Sequence, residues 1–386
     1  MPTEGLSIEQ PDSQHSVDQD EEVGLLSVTR QINNARSKRR RAWIMFGIVF
    51  GTLLGVSLIL ISRIDQHLAC RKSSLAVLCR SGSSVQRQTP LNFLVVGDWG
   101  RNGLYNQSLV AEQMGNVGAQ LNVSFIISTG DNFYENGLTG PDDEQFSTSF
   151  SNIYTQESLQ TTWYSVLGNH DYHGNVSAQV DQKVTFRDPR WNCHNNFQLI
   201  HDLGNTPQVE AAKVEFFFID TNPFVEEYWT TKSSYAWQLP LPRKVYIMEE
   251  LMNLTNALAA STAKWKIVVG HHTMRSVSTH GDTLELLEAV LPILEANAVD
   301  LYINGHDHCM QHIKRPDSPV HFLTSGGGSK AWRGTKPLIN AEEDFGLRFY
   351  YDGQGFAAVT MLPTEVHIDM YNISGQVMYS MNLQKN

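Results

Sequence analysis

The chain has 386 residues, with 29 Lys and Arg against 40 Asp and Glu, a formal net charge of −11 and a hydrophobic fraction of 41%. This is ordinary globular composition; it excludes a collagen-like, wholly disordered or disulfide-dense chain, and a mean hydropathy of −0.28 excludes a polytopic membrane protein. The acidic balance argues against nucleic acid as a principal partner, because phosphate backbones are held by clustered Lys and Arg.

The charge is unevenly distributed. Residues 1–41 carry a net −1 with the signs sorted: Asp18, Asp20, Glu21 and Glu22 come early, whereas Arg36, Lys38, Arg39, Arg40 and Arg41 come last. This segment reads as a disordered cytoplasmic tail. Within it, Glu21-Glu22-Val23-Gly24-Leu25-Leu26 has the form of an acidic dileucine address read by sorting adaptors; the plainer reading is solvated tail. Residues 42–62 carry no charge and are rich in Ile, Leu, Val and Phe. As a helix rising about 1.5 Å per residue they span about 30 Å, the thickness of a bilayer's hydrocarbon core. A buried core helix rarely runs so long without a polar face. A cleavable signal fits poorly, because 41 residues precede the run and no A-x-A site follows. A transmembrane signal anchor is therefore expected, with the basic cluster holding the N-terminus in the cytoplasm.

Five N-x-S/T sequons, at Asn106, Asn122, Asn175, Asn253 and Asn372, all follow the span. Their one-sided placement agrees with a lumenal or extracellular C-terminal domain in the endomembrane system, vacuole or lysosome, or at the cell surface. Residues 63–90, with a net charge of +4, read as a lumenal stalk.

From residue 91 apolar runs bounded by turns recur at 91–96, 125–128, 163–167, 214–219, 265–269, 301–303 and 321–323. Helical patterns at 107–121, 243–260 and 283–296 lie between them, and 356–361, 365–371 and 377–381 read as antiparallel strands. The alternation predicts an α/β layered domain over 91–386.

Chemistry-bearing residues follow the strands. The first three runs lead into Gly97-Asp98-Trp99-Gly100, Gly130-Asp131-Asn132-Phe133-Tyr134 and Gly168-Asn169-His170-Asp171; two later ones lead into Gly270-His271-His272 and Gly305-His306-Asp307-His308. Loops at strand carboxyl ends are where open α/β sheets build sites. Two carboxylates, a phenol, an amide oxygen and several imidazoles form a metal inventory too large for one cation. Two cations sharing a carboxylate, as in hydrolytic pairs about 3.5–4 Å apart, would use it. Singly, each motif is more often a turn or a core histidine; their ordered recurrence after strands is what points to metal.

The series Asp98-x-Gly100, Gly130-Asp131-x-x-Tyr134, Gly168-Asn169-His170, Val268-x-x-His271 and Gly305-His306-x-His308 resembles the signature of purple acid phosphatases. The similarity is to the small, single-domain type that includes mammalian tartrate-resistant acid phosphatase and the short plant enzymes. It runs from about residue 91 to the C-terminus and includes Phe218-Ile219-Asp220-Thr221 and Ser325-Gly326-Gly327-Gly328-Ser329. The resemblance implies a four-layer metallophosphoesterase sandwich, two mixed β-sheets flanked by helices, here preceded by one transmembrane helix. It implies that Asp98, Tyr134 and His308 hold a ferric ion, that Asp131 bridges, and that Asn169, His271 and His306 complete a second site for Fe(II), Zn or Mn. It also implies that His170 and His280, beside the ligands, bind phosphate and protonate the leaving oxygen. The expected activity is acid hydrolysis of phosphate monoesters, small-molecule or phosphoprotein, with a metal-activated hydroxide as nucleophile.

His272 reads as a neighbour of a ligand, and Asp171 and Asp307 as groups that orient imidazoles or accept structural bonds. Two other functions fit less of the sequence: a metallophosphodiesterase, separable by assay of monoester against diester substrates, and a non-catalytic membrane binding protein, which would have lost ligands. Of the four cysteines, a Cys193–Cys309 bridge beside His308 is expected, with Cys70 and Cys79 paired locally or between chains.

Overall fold

Leu91–Val96 (β1) is apolar except for Asn92 and nearly all of it is buried, the mark of a central strand covered on both faces. The computed structural model containing it describes residues 89–204, 212–230, 235–332 and 345–385. The expected tail, span and stalk, with Glu21–Leu26, Cys70 and Cys79, lie outside the described residues. Among the described residues no helix is long and apolar enough to cross a membrane.

Beside β1 lie β2 (Phe125–Ser128), β3 (Thr162–Ser165) and β4 (Trp191–Cys193), all parallel. The second sheet is built from β5 (Phe197–Gly204), β6 (Ala212–Phe218), β7 (Trp265–Val269), β8 (Leu301–Asn304), β9 (Met310–Ile313), β10 (His321–Ser325) and β11 (Leu347–Tyr351). Strands β12 (Gly355–Met361), β13 (Glu365–Asn372) and β14 (Val377–Gln384) return to the first sheet, giving the order β14-β13-β12-β1-β2-β3-β4. The second order is β11-β9-β10-β8-β7-β6-β5, with β6, β7, β8 and β10 parallel and the others antiparallel. Both sheets are mixed, as expected. Each has a parallel centre whose carboxyl ends deliver loops.

Strand periodicity sorts side chains into layers. Phe93 and Val95 of β1 face inward and pack with Phe216, Phe218, Ile267, Ile303 and Val359 between the sheets. Leu94 and Val96 face outward, toward the helix Gln107–Leu121 and an aromatic group containing Trp99, Phe150, Tyr154, Trp163 and Trp191. Trp163 is fully buried in that group, and its truncation to Ala would cost about 3–5 kcal/mol. The helices Arg243–Ala260, Leu284–Ala289 and Leu291–Ala296 cover the other sheet through Leu254, Leu258, Leu286 and Leu294.

The structure differs from the sequence reading in three respects. The predicted helix at 283–296 is two helices broken at Val290, and Pro292, in the first turn of the second, has no N–H to continue the first. The expected Cys193–Cys309 bridge is not formed: both thiols are free and buried. Cys193 ends β4 in the first sheet and packs in the aromatic layer, whereas Cys309 directly precedes β9 in the second. The sequons are unequal. Asn122 and Asn253 are exposed and Asn106 and Asn175 half-buried, but Asn372 is 9% exposed and its Oδ1 accepts the N–H groups of Ser374 and Gln376.

Candidate metal centre

The seven expected ligands all emerge from strand ends. Asp98 follows β1, Asp131 and Tyr134 follow β2, and Asn169 follows β3; His271 follows β7, and His306 and His308 follow β8. The turns that aim them are tight. Asp98, Asp131 and His306 adopt φ of 61°, 50° and 70°, left-handed values that cost a non-glycine residue about 1–3 kcal/mol each. Gly168 is required by contact: a Cβ there would sit 2.2 Å from Asp131 Oδ1. Gly305 is confined likewise by Asp98 Oδ2, 2.4 Å from where its Cβ would stand.

The donor atoms form two adjoining groups. Around Tyr134 Oη lie Asp131 Oδ2 at 2.8 Å, Asp98 Oδ1 at 3.0 Å and His308 Nε2 at 3.0 Å. Around Asn169 Oδ1 lie His306 Nδ1 at 3.0 Å and His271 Nε2 at 3.1 Å, with the two imidazole nitrogens 3.2 Å apart. Asp131 belongs to both groups, since its Oδ1 is 3.5 Å from His271 Nε2. All seven side chains are at most 9% exposed.

Without cations this arrangement is electrostatically frustrated. Burial and the nearby Asp131 charge push the Asp98 carboxyl well above the carboxylate range, and burial and the same charge push the Tyr134 phenol up. Burial also raises Asp131, and the hydrogen bonds it accepts from the His170 backbone N–H and the Tyr134 hydroxyl act against that rise. Burial keeps the imidazoles neutral, driving His306 well down and His308 to about 3. His271 Nδ1 faces the Thr129 carbonyl at 2.8 Å and so must donate to it, which leaves Nε2 bare toward the centre. A bare imidazole nitrogen against a carbonyl oxygen is repulsive unless a cation lies between them. The residues therefore fit a pair of metal ions: hard anionic donors in one group, imidazoles and an amide in the other.

Of the two histidines expected to bind phosphate beside the ligands, His170 is 28% exposed, rests on the Tyr134 ring at 4.4 Å and directs Nδ1 to the Glu135 carbonyl at 2.6 Å. The exposed His280 lies 4.1 Å from the His306 ring, and its N–H donates to Asp307 Oδ1 at 2.9 Å. Asp307 thus fixes the loop that carries His280. Asp171 accepts the N–H groups of Asn132, Phe133 and Gly168, so it is a structural acceptor and orients no imidazole. His272 is buried beside His271 and His306, with its nitrogens on Thr221 Oγ1 at 2.8 Å and Tyr228 Oη at 2.9 Å.

Sequence reasoning missed several neighbours. The Arg101 guanidinium lies 3.6 Å above the Tyr134 ring, and Trp332 stacks on His308 at 4.6 Å. Thr221 belongs to the conspicuous run 218–221 but had no assigned role, and Arg101 immediately follows the first motif. Trp332, Tyr228 and Tyr235 carry no spacing signal.

Two layered sheets that meet in a paired-metal donor set at their strand ends define a metallophosphoesterase. The pattern of the calcineurin-like phosphoesterase family matches residues 91–310. Purple acid phosphatase 3 of Arabidopsis thaliana is 50% identical over 309 residues, covering 80% of this chain and 81% of its own length. Human tartrate-resistant acid phosphatase type 5 is 30% identical over 308 residues, 76% of this chain and 91% of its own. The chain belongs to the purple acid phosphatase family and is an acid phosphatase, a phosphoric monoester hydrolase. Among solved structures, GAP50, the anchor in the inner membrane complex of Plasmodium, shares the fold with a TM-score of 0.66 at 24% identity, over 78% of this chain and 90% of that one. Yellow lupin purple acid phosphatase PPD1 does so with a TM-score of 0.54 at 15% identity, over 78% and 55%.

Proposed function

We propose that this chain is a membrane-anchored purple acid phosphatase whose catalytic domain faces a lumen or the extracellular space and hydrolyses phosphate monoesters at a ferric and divalent metal pair. The observation that supports it most is the convergence of Asp98, Asp131 and His308 on Tyr134 Oη within 3.0 Å. A phenol among carboxylates is a donor set for a high-valent ion. When bound, such a pair supplies positive charge to phosphoryl oxygens and acidifies water.

The chain's own residues then do the rest. Asp131 holds the two positions at a fixed separation, and Asp98, pinned by the His306 N–H at 3.0 Å, ties the first sheet's contribution to the second's. His170 has Nδ1 committed to the Glu135 carbonyl, so Nε2 is the nitrogen left for a substrate oxygen. His280 stands exposed over His306, where a phosphoryl group would enter. Substrate choice is proposed to lie in the segments 142–154 and 223–242, which the family resemblance marks as variable. The anchor rests on the uncharged run 42–62 and on sequons confined to one side of it. The full-length chain, purified with its metals, is expected to hydrolyse phosphate monoesters at acid pH and to absorb visible light. A colourless, metal-replete protein would remove the Tyr134 assignment, and preference for diesters would replace the monoester reading.

A further inference from the structure

Behind the divalent half of the centre runs a continuous series of hydrogen bonds whose direction can be worked out from donor and acceptor inventories. Thr221 Oγ1 accepts the backbone N–H of His271 at 3.3 Å and of His272 at 3.1 Å. Both hydroxyl lone pairs are then occupied, so the Thr221 O–H must donate to His272 Nδ1, 2.8 Å away. A ring nitrogen that accepts carries no proton. His272 is therefore a neutral imidazole with its hydrogen on Nε2, which donates to Tyr228 Oη at 2.9 Å. The Tyr228 O–H in turn donates to Tyr235 Oη, and the two rings stack with their centroids 4.4 Å apart. Tyr235 Oη also bonds the Asn169 side chain. Since Asn169 Oδ1 lies at 3.0–3.1 Å from His306 and His271, the group facing Tyr235 is the amide nitrogen.

We infer that the series Thr221–His272–Tyr228–Tyr235 positions the divalent site, with His272 and Tyr235 as positioning residues: one end anchors the Asn169 amide with Oδ1 toward the ion, while the other holds the His271 backbone. This rests on the two-metal reading above. An amide has two nearly isosteric ends of opposite polarity, and only the oxygen can ligate. Turned by half a rotation, Asn169 would present two hydrogens to a cation. The bond to Tyr235 Oη anchors the amide at the wall of the site, and the ion, which only Oδ1 can ligate, decides between the two rotamers. His272 is further fixed by its own carbonyl, which accepts Tyr302 Oη–H at 2.7 Å. The same series ties the loop 223–242 to two metal-site residues at once.

The test uses the full-length chain with Tyr235→Phe, His272→Phe and His272→Gln, titrated with Zn²⁺ after selective removal of the divalent ion, with the visible band recorded throughout. Groups that orient metal ligands typically contribute 10–100-fold to affinity. Tyr235→Phe and His272→Phe are expected to weaken Zn²⁺ binding about tenfold or more with the visible band retained, and His272→Gln, which keeps a donor for Tyr228, to recover part of the loss. The double variant should lose no more than His272→Phe alone, because one interrupted series cannot be interrupted twice. Wild-type Zn²⁺ affinity in Tyr235→Phe would overturn the inference, as would parallel loss of both metals with a lowered melting temperature, the mark of a general structural role. If His272→Phe does not fold, the part-buried Tyr235 alone decides. A wild-type chain that binds no second ion would instead overturn the two-metal reading.

Discussion

Asp131 Oδ2 stands 2.8 Å from Tyr134 Oη while Oδ1 of the same carboxylate reaches toward His271, so one short side chain joins the phenolic group to the imidazole group. The Gly168 backbone packs against it too closely for any side chain to intervene. Replacing this residue should damage both positions at once. Asp131→Ala is expected to lower phosphatase turnover by about 10³-fold or more and to reduce bound metal below two ions per chain. Near-normal turnover would remove the paired-metal account.

Arg101 places its positive charge against the face of the Tyr134 ring at 3.6 Å. A cation there lowers the energy of the phenolate electrons that a ferric ion would draw on, by up to about 2 kcal/mol where solvent is excluded. In Arg101→Met the visible band is expected to move to longer wavelength, with metal content unchanged. An unmoved band would mean that Arg101 serves only to pair with Glu135.

Far from the centre, His312 on β9 bonds Tyr379 Oη on β14 through Nδ1 and His321 Nδ1 on β10 through Nε2, both at 2.9 Å, linking the two sheets. Burial, then the charges of Arg348 and Lys314 beside the pair, holds His312 at about 3 and His321 at about 4. The unfolded imidazoles, near 6.5, bind more protons than the folded ones between those values, so stability falls as pH drops through 6.5 toward 4. From pH 7 to 5 the loss should be about 2 kcal/mol for His312 and less for the partly exposed His321. Urea unfolding at both pH values should show this, and His312→Gln should shrink the difference. An unchanged difference would place the acid sensitivity elsewhere.

The lumenal orientation predicts glycans on Asn122 and Asn253 and none on Asn372, whose amide is engaged in the turn before β14. Glycopeptide mapping of the native protein reads this directly. Deletion of residues 1–62 should also release the protein from membranes without detergent. Unmodified asparagines throughout would return the domain to the cytoplasmic side, and a full-length chain soluble without detergent would remove the anchor.

Much of the fold was legible because central parallel strands are covered on both faces, so β1, β2 and β7 appear as largely apolar runs, each with a single polar residue (Asn92, Ser128 and Lys266). Three-residue β4 is too short for any period to show, and Met310–Ile313 follows the His308 motif so closely that it reads as loop. The Leu spacing at 283–296 continues across Val290, and only Pro292 marks the break. At the site, the ligand positions could be read because each follows a glycine at a strand end by one to four residues. Arg101, Trp332 and Tyr235 come from irregular segments and act through ring faces or single hydroxyls, which leave no pattern in a linear chain.

The two sheets contribute unequal halves of one set of donors: Asp98, Asp131, Tyr134 and Asn169 from the first, His271, His306 and His308 from the second. Ions held there would join segments more than a hundred residues apart, in a domain whose described cysteines are both free. Binding that occurs only in the folded state adds about 4 kcal/mol when the ligand exceeds its dissociation constant a thousandfold. The centre would thus serve as the cross-link that the thiols do not provide. Chelation should then loosen the seam between the sheets as well as silence the enzyme, and a chain that has lost its colour should also be the one most readily unfolded.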